Sequence, residues 1–384
     1  MKISAGIALM MCFLFLYFAG IPIMKKAPSE QSDQIDKYIE EQMHNLQISG
    51  LSLAVVKDGE SIKTRGYGFA NIELQVPASE ASIYQIASVT KQFTATAVMI
   101  LVEEHKIGLD DKITQYLSNL PLDWQSITIR HLLTHTSGIV SYTSLPEWDR
   151  NLYPISKEEI MKLVAKYPLN FQPGNAWDYN NTGYFLLGMI IEKVSGQSYS
   201  GFLKERIFTP LNMKDTRVND LNSLIKNRTS GYERTSRLIN ARDSDPSWGY
   251  AAGALISTVT DLTKWDAALY AEKILKRHSL EQMWTPVILN NGETFAYGFG
   301  WAINKINGHR VIWHNGGIQG FCSSILRFPD DQVTVIVLIN QTPLPVDQIA
   351  LKVASFSIKG LLPPGYEVNN DHNLSLFINE FVRK

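Results

Sequence analysis

Residues 86–93 read IASVTKQF, and they set a serine three residues ahead of a lysine where a helix begins. Downstream the chain runs KQFTATAVMILVEEHKIGLDD, with Ala and Met, no Pro, and Gly108 where a helix can stop. Ser88 then stands in the first turn, and Lys91 lies one turn further along the same face. A serine cap followed by a solvated lysine is one account of the pair. The other is chemical: a hydroxyl beside an amine, at the positive end of a helix, is a nucleophile being prepared. The rest of the chain decides between them.

The 384 residues are 45% hydrophobic and 10% aromatic, enough for a large core or two packed lobes. A formal charge of −1, with no long charged run, gives no basic footprint for nucleic acid. Small molecules or peptides are the expected partners. MKISAGIALMMCFLFLYFAGIPIM, residues 1–24, carries one lysine near its start and reads as a secretory signal or a membrane anchor through residues 3–24. Phe18 and Tyr17 ahead of Ala19 and Gly20 make a poor cleavage site, so both readings stay open. The body is expected to be exported: periplasmic, secreted or tethered to a membrane. Past the leader only Cys322 remains, so no internal disulfide is available and the core must hold the fold.

After a polar linker (residues 25–33), IDKYIEEQMHNL has helical spacing, and LSLAVVKDGESIKTRGYGFAN reads as two strands around an Asp-Gly turn. From Ser88 to about residue 285 the pattern is mostly helical. FQPGNAWDYNNTGYFLLGMIIEKVSG ends in an amphipathic helix, and STVTDLTKWDAALY offers Thr260 or Asp261 as a cap. Strand signals return in YGFGWAIN, HRVIWHNGG, FCSSILRFP and QVTVIVLIN, before a last helix over about 345–360. The expected fold is α/β in the α+β sense: a mainly antiparallel sheet lobe flanked by helices and built from both chain ends (34–87 and 290–362). A large helical lobe (88–289) is inserted between them, and residues 363–384 form a tail. Ser88 marks the junction, and clefts between lobes are where small-molecule sites sit.

WDYNNTGY carries Tyr179 and Asn181, and IWHNGGIQGF carries His314, Asn315, Gly316 and Gly317. With Ser88-Val89-Thr90-Lys91 these stretches resemble the S-x-x-K, Y-x-N and K/H-x-G motifs of the penicillin-recognising serine hydrolases. Tyr-Asn-Asn and His-Asn-Gly make the chain similar to class C-type β-lactamases. The histidine adds a likeness to secreted D-alanyl-D-alanine carboxypeptidases, D-aminopeptidases and related esterases. The resemblance covers about residues 35–345, and HLLTHTSGI, YAAGALISTVTDLTKW and YGFGW read like further signatures. It implies an exported serine acyl-hydrolase, acting as a monomer without cofactor or metal on D-amino-acid peptides or esters, some of them peptidoglycan-derived. Hydrolysis of β-lactams, or slow turnover in a membrane-tethered penicillin sensor, are the alternatives.

A serine hydroxyl attacks only when a base takes its proton. Lys91 serves if desolvation or a nearby positive group lowers its pKa; Tyr179 serves if a neighbouring ammonium favours its phenolate. The resemblance implies that Tyr179 is the base and Lys91 holds its pKa down, but the residues alone allow the roles to be exchanged. It also implies that Asn181, His314, Asn315 and Gly316 bind substrate, and that the N–H groups of Ser88 and Gly317 form the oxyanion hole. His314 stands where β-lactamases of this type carry lysine; unperturbed, it titrates near 6.5 and would attract a substrate carboxylate only when protonated. Arg310, four residues earlier, is a candidate for the missing charge or a solvated edge arginine. His131 and His135 are four apart, but Leu132 stands where the zinc-protease motif needs Glu, and a structural role is expected for both.

Overall fold

The computed structural model describes residues 30–366 and residue 368. The leader (1–24) and most of the tail expected over 363–384 lie outside the described residues. Helix α1 (Glu30–Asn45) begins inside the stretch expected as linker and turns Ile35 and Ile39 inward. Strands β1 (Gly50–Lys57) and β2 (Glu60–Asn71) form the hairpin. Asp58 and Gly59 supply its turn with φ of 52° and 78°, the left-handed pair that a two-residue type I′ turn needs. A short β3 (Val76–Pro77) follows.

Helix α2 (Thr90–Glu103) stops short of Gly108. His105 takes a left-handed φ of 56°, and the Lys106 N–H folds back onto the Leu101 carbonyl at 2.9 Å, closing the helix without glycine. Helix α3 (Asn181–Ser195) is capped by the Asn180 side chain and ends on Gly196 at φ 71°. Helix α4 (Val259–Tyr270) is capped by Thr258, whose side chain accepts from the Asp261 N–H; neither expected cap residue takes that place. Residues 217–257 are less helical than their sequence pattern predicts. Arg217–Val218, Tyr232–Arg234, Leu238–Asn240 and Leu255–Ser257 pair with Tyr84–Gln85 and Gln341–Thr342 in two small sheets.

Strands β4 (Ala302–Ile306), β5 (His309–Ile318), β6 (Phe321–Phe328) and β7 (Val333–Ile339) precede α5 (Val346–Ser355). The main sheet has the order β4-β5-β6-β7-β1-β2-β3 and is antiparallel throughout. Both chain ends build it, as the pattern predicts. One face packs Leu53, Val55, Val311, Trp313, Val335 and Val337 against α1 and α5. The other packs Ala54, Ile312, Ile325 and Ile336 into the helical body. Helix α4 falls within the stretch expected as the inserted lobe but contributes Leu262, Trp265 and Leu269 to the core on the sheet's inner face and contacts β1 and β7.

One detail of register positions the chemistry. Strand β5 pairs with β4 only through Trp313, so residues 314–318 run on with a sheet neighbour on the β6 side alone. A two-residue turn joins Ile318 to Phe321, which makes that pair the hydrogen-bonded one and turns the main-chain groups of Asn315 and Gly317 to the open edge.

Candidate active site

Ser88 sits in a single 3-10 turn, Ala87–Val89, that leads directly into α2. The turn is pinned from three sides. The Ile86 N–H donates to the Leu255 carbonyl at 3.0 Å, the Ser323 hydroxyl donates to the Ile86 carbonyl at 2.8 Å, and Ala87 is held at a left-handed φ of 43°. A non-glycine residue in that region stores strain, which such a well-anchored turn can sustain. Gly316 lies against it. A Cβ there would meet the Ile86 carbonyl oxygen at 2.3 Å and the Ser88 nitrogen at 3.0 Å, so the close approach requires glycine. Gly317 differs: nothing lies within 4 Å of its would-be Cβ. Gly316→Ala is therefore expected to cost about 1–3 kcal/mol of stability from overpacking. Gly317→Ala should leave the melting temperature near wild type and act only on substrate; equal Tm losses in the two variants would refute the assignment.

Lys91 is completely buried, its chain running under Ser88. Its Nζ donates to Asn181 Oδ1 at 2.7 Å and to the Ala252 carbonyl at 2.9 Å, and lies 3.2 Å from Ser88 Oγ. Carbonyl oxygens only accept, so two hydrogens of the amine are committed to them. The third direction of the nitrogen faces Ser88. Burial holds the amine well below the ordinary lysine value. In the neutral form that third direction is a lone pair aimed at the serine hydroxyl. The Ala252 carbonyl is free to accept because Tyr250 (φ 36°, ψ −125°) kinks the helical segment Pro246–Gly253 just ahead of it. Main-chain acceptors carry no residue signature, and the sequence offered no sign of this one.

Asn181 opens α3 and is held from both sides: Nδ2 donates to Thr143 Oγ1 at 3.0 Å, and its N–H donates to Ser141 Oγ at 3.2 Å. Tyr179 stands two residues before, with Lys91 Nζ 4.8 Å from its ring centroid. Its hydroxyl is buried and makes no hydrogen bond. Burial raises the phenol above the ordinary tyrosine value, and the Ser88 side chain acts the other way. In the free site this burial disfavours the phenolate that the resemblance implied. His135 backs the ring at 4.4 Å between centroids and accepts the Asn180 N–H on Nδ1; His131 takes the Thr128 N–H in a helix cap. Both histidines of HLLTH hold main chain.

The expected behaviour of His314 needs correction. It is 4% exposed and does not line the cleft; Nδ1 bonds the Asn315 carbonyl at 2.6 Å and Nε2 the Tyr297 hydroxyl at 2.9 Å. A carbonyl only accepts, which puts the ring proton on Nδ1 and leaves Nε2 to accept from Tyr297. Burial, with Lys91 nearby, lowers its pKa to about 3 rather than leaving it near the unperturbed value. Tyr297, from YGFGW, was not singled out by spacing and is the group that fixes this tautomer. Asn315 lines the cleft, but its side chain leaves β5 on the face opposite His314 and donates to Asp347 Oδ2 on α5. Arg310 donates to the Trp284 carbonyl at 3.3 Å and supplies no charge to the cleft.

A cleft of about 660 Å³ opens over these groups. Ser88, Asn181, Gly316 and Gly317 line its floor, and Tyr142 and Trp148 form an aromatic wall. Glu233 and Arg234 line it from the Tyr232–Arg234 strand.

A family profile for Beta-lactamase matches residues 35–357. The chain is 33% identical over 333 residues to a penicillin-binding protein of Bacillus subtilis, covering 82% of this chain and 73% of that one. Among solved structures it is similar to the octameric penicillin-binding protein homologue from Pyrococcus abyssi. That match has a TM-score of 0.76 and 31% identity, over 84% of this chain and 76% of that one. It is also similar to the D-amino acid amidase from Ochrobactrum anthropi solved with L-phenylalanine amide, at TM-score 0.75 and 26% identity, over 86% and 97% of the two chains. The Ser88 turn, its buried amine and the open strand edge thus stand in a serine hydrolase, and the chain belongs to the β-lactamase family of penicillin-recognising enzymes.

Proposed function

We propose that this serine hydrolase cleaves D-amino-acid amides, peptides and esters through an acyl-enzyme on Ser88, with Lys91 as the base. The observation that carries the chemistry is the buried amine 3.2 Å from Ser88 Oγ, its other hydrogens taken by carbonyls. As Ser88 attacks the substrate carbonyl, its proton passes to Lys91. The N–H groups of Ser88 and Gly317 receive the oxyanion. The amine or alcohol leaves with a proton routed through the Tyr179 hydroxyl, and water then hydrolyses the ester on Ser88. Asn181 orients both the amine and the substrate amide. The Tyr142 and Trp148 wall suits an apolar acyl side chain. The export expected from residues 1–24 belongs to the same proposal, since peptide fragments of a cell wall are met outside the cytoplasm. Among the described residues, no helix is long and apolar enough to cross a membrane.

Electrostatics favours neutral or cationic substrates over carboxylate-bearing ones such as β-lactams and D-alanyl-D-alanine termini. Among the described residues lining the cleft, Arg234 is the one cation, against Glu233 and Asp347. Arg234 also spends a donor on the Gln47 carbonyl. His314 stays neutral well above its lowered pKa of about 3. His314 thus adds no slope between about pH 6 and pH 7.5 to the ratio of kcat/KM for a carboxylate-bearing substrate to that for a neutral ester. A fall there comes from the Asp347 carboxyl, raised to about 6, and should be flattened in Asp347→Asn. A fall that persists in Asp347→Asn would restore His314 as a titrating recognition group. Turnover of p-nitrophenyl esters, D-Ala-D-Ala peptides, D-amino-acid amides and nitrocefin, compared side by side, tests the substrate class. Fast nitrocefin turnover with inert amides would overturn it.

A further inference from the structure

Asp347, in the first turn of α5, is 3% exposed. Its Oδ2 accepts from Asn315 Nδ2 and its Oδ1 from Ser324 Oγ, each at 2.6 Å. Asn315 and Ser324 are cross-strand partners on β5 and β6, so one carboxylate clips the two strands from the face. The clip sits where β5 has lost its other neighbour: pairing with β4 ends at Trp313, two residues before Asn315. A strand whose edge must stay open to substrate cannot be steadied by another strand on that side. Here it is steadied from above and below. The Asn315 side chain is held by α5, and its carbonyl accepts the Nδ1–H of His314, which Tyr297 fixes from the other face.

The clip is costly to keep. Burial pushes the Asp347 carboxyl up to about 6, and its two hydrogen bonds only partly offset this. Facing it are Asn315 from β5, and Ser324 and the Cys322 thiol from β6. Burial pushes that thiol up to about 12. Glu233 and Arg234 line the same end of the cleft. A desolvated carboxylate held by hydrogen bonds rather than by a cation is more often found where function needs it than where stability does.

We propose that Asp347 is a positioning residue for acyl transfer: by gripping Asn315 and Ser324 it fixes the open edge of β5, so that the Gly317 N–H stays aimed at the substrate carbonyl oxygen. This rests on the reading of Gly317 as an oxyanion donor. Losing or misplacing such a donor lowers the rate on the order of 10²-fold.

The test uses the purified chain with a D-alanine p-nitroanilide, and labelling of Ser88 by a fluorophosphonate as a separate readout. Asp347→Ala should lower kcat by roughly 10- to 100-fold with KM nearly unchanged. Asn315→Asp brings two carboxylates into contact, one of which must hold a proton. Its kcat should be low at pH 8 and recover as the pH falls, a limb that wild type lacks. The double exchange Asn315→Asp with Asp347→Asn restores an amide facing a carboxylate and should recover most of the activity at pH 8. An Asp347→Ala enzyme with wild-type kcat, or a double exchange no better than Asn315→Asp alone, overturns the proposal. If wild-type Ser88 itself fails to label, the acyl-enzyme reading falls instead, which separates the two failures.

Discussion

Ser88→Ala is expected to abolish covalent labelling by a fluorescent penicillin or a fluorophosphonate and to lower kcat by a factor on the order of 10⁴ or more. The substitution removes one atom and little else. The turn carrying residue 88 is fixed by main-chain bonds at Ile86 and by the close contact of Gly316, neither of which uses the serine hydroxyl. Lys91 keeps Asn181 and the Ala252 carbonyl as partners. The fold should therefore survive with Tm close to wild type, and the loss will be chemical. What remains is binding and the two main-chain donors, which lift a reaction above water but cannot form an acyl-enzyme. A variant that still labels at one equivalent would place the nucleophile elsewhere. The wild-type enzyme separates hydrolase from sensor by the same reagents: steady release of a chromogenic β-lactam or ester signals turnover, and arrest after one equivalent signals a protein that is acylated and stays so.

The parts of this site that sequence made legible are those whose chemistry is local. Asp58 and Gly59 announce their turn because few residues accept two successive positive φ values. Ser88 and Lys91 announce each other because helical spacing alone brings i and i+3 together. Tyr179, Asn181 and Gly316 were legible only through family likeness, since nothing in their own spacing brings them to Ser88. The sequence did not reveal which way a side chain turns, or what covers it. Alternation along β5 puts His314 and Asn315 on opposite faces, but only the packed fold shows that one face meets Tyr297 and the other meets Asp347. The behaviour of His314 follows from that burial: an imidazole on a solvent-facing edge would titrate near 6.5, whereas this one, desolvated beside Lys91, does not. The phenol of Tyr179 has the same origin. An ammonium beside it favours the phenolate, but burial lowers the charge on Lys91 and disfavours the anion on Tyr179 together.

That shared desolvation makes the two proton-transfer groups distinguishable. Lys91→Ala should lower acylation on the order of 10²- to 10⁴-fold for an activated p-nitrophenyl ester and for an amide alike, because both need the serine proton removed. It should also lower Tm, since Asn181 Oδ1 and the Ala252 carbonyl lose the donor they share. Tyr179→Phe removes a hydroxyl that bonds to nothing in the free enzyme, so its stability should hardly change. Its effect should appear where a leaving group needs a proton: a loss on the order of 10² on the amide, and much less on the p-nitrophenyl ester, whose phenolate leaves unaided. The pH profile carries the same sign. Lys91 accepts a proton only when neutral, so ester kcat/KM should rise with pH through the lowered lysine value and level off well below about 10.4. Lys91→Ala should lose that limb while Tyr179→Phe keeps it. If Tyr179→Phe instead removes the limb and cripples the ester as severely as the amide, the phenolate is the base after all, and the lysine serves to hold it.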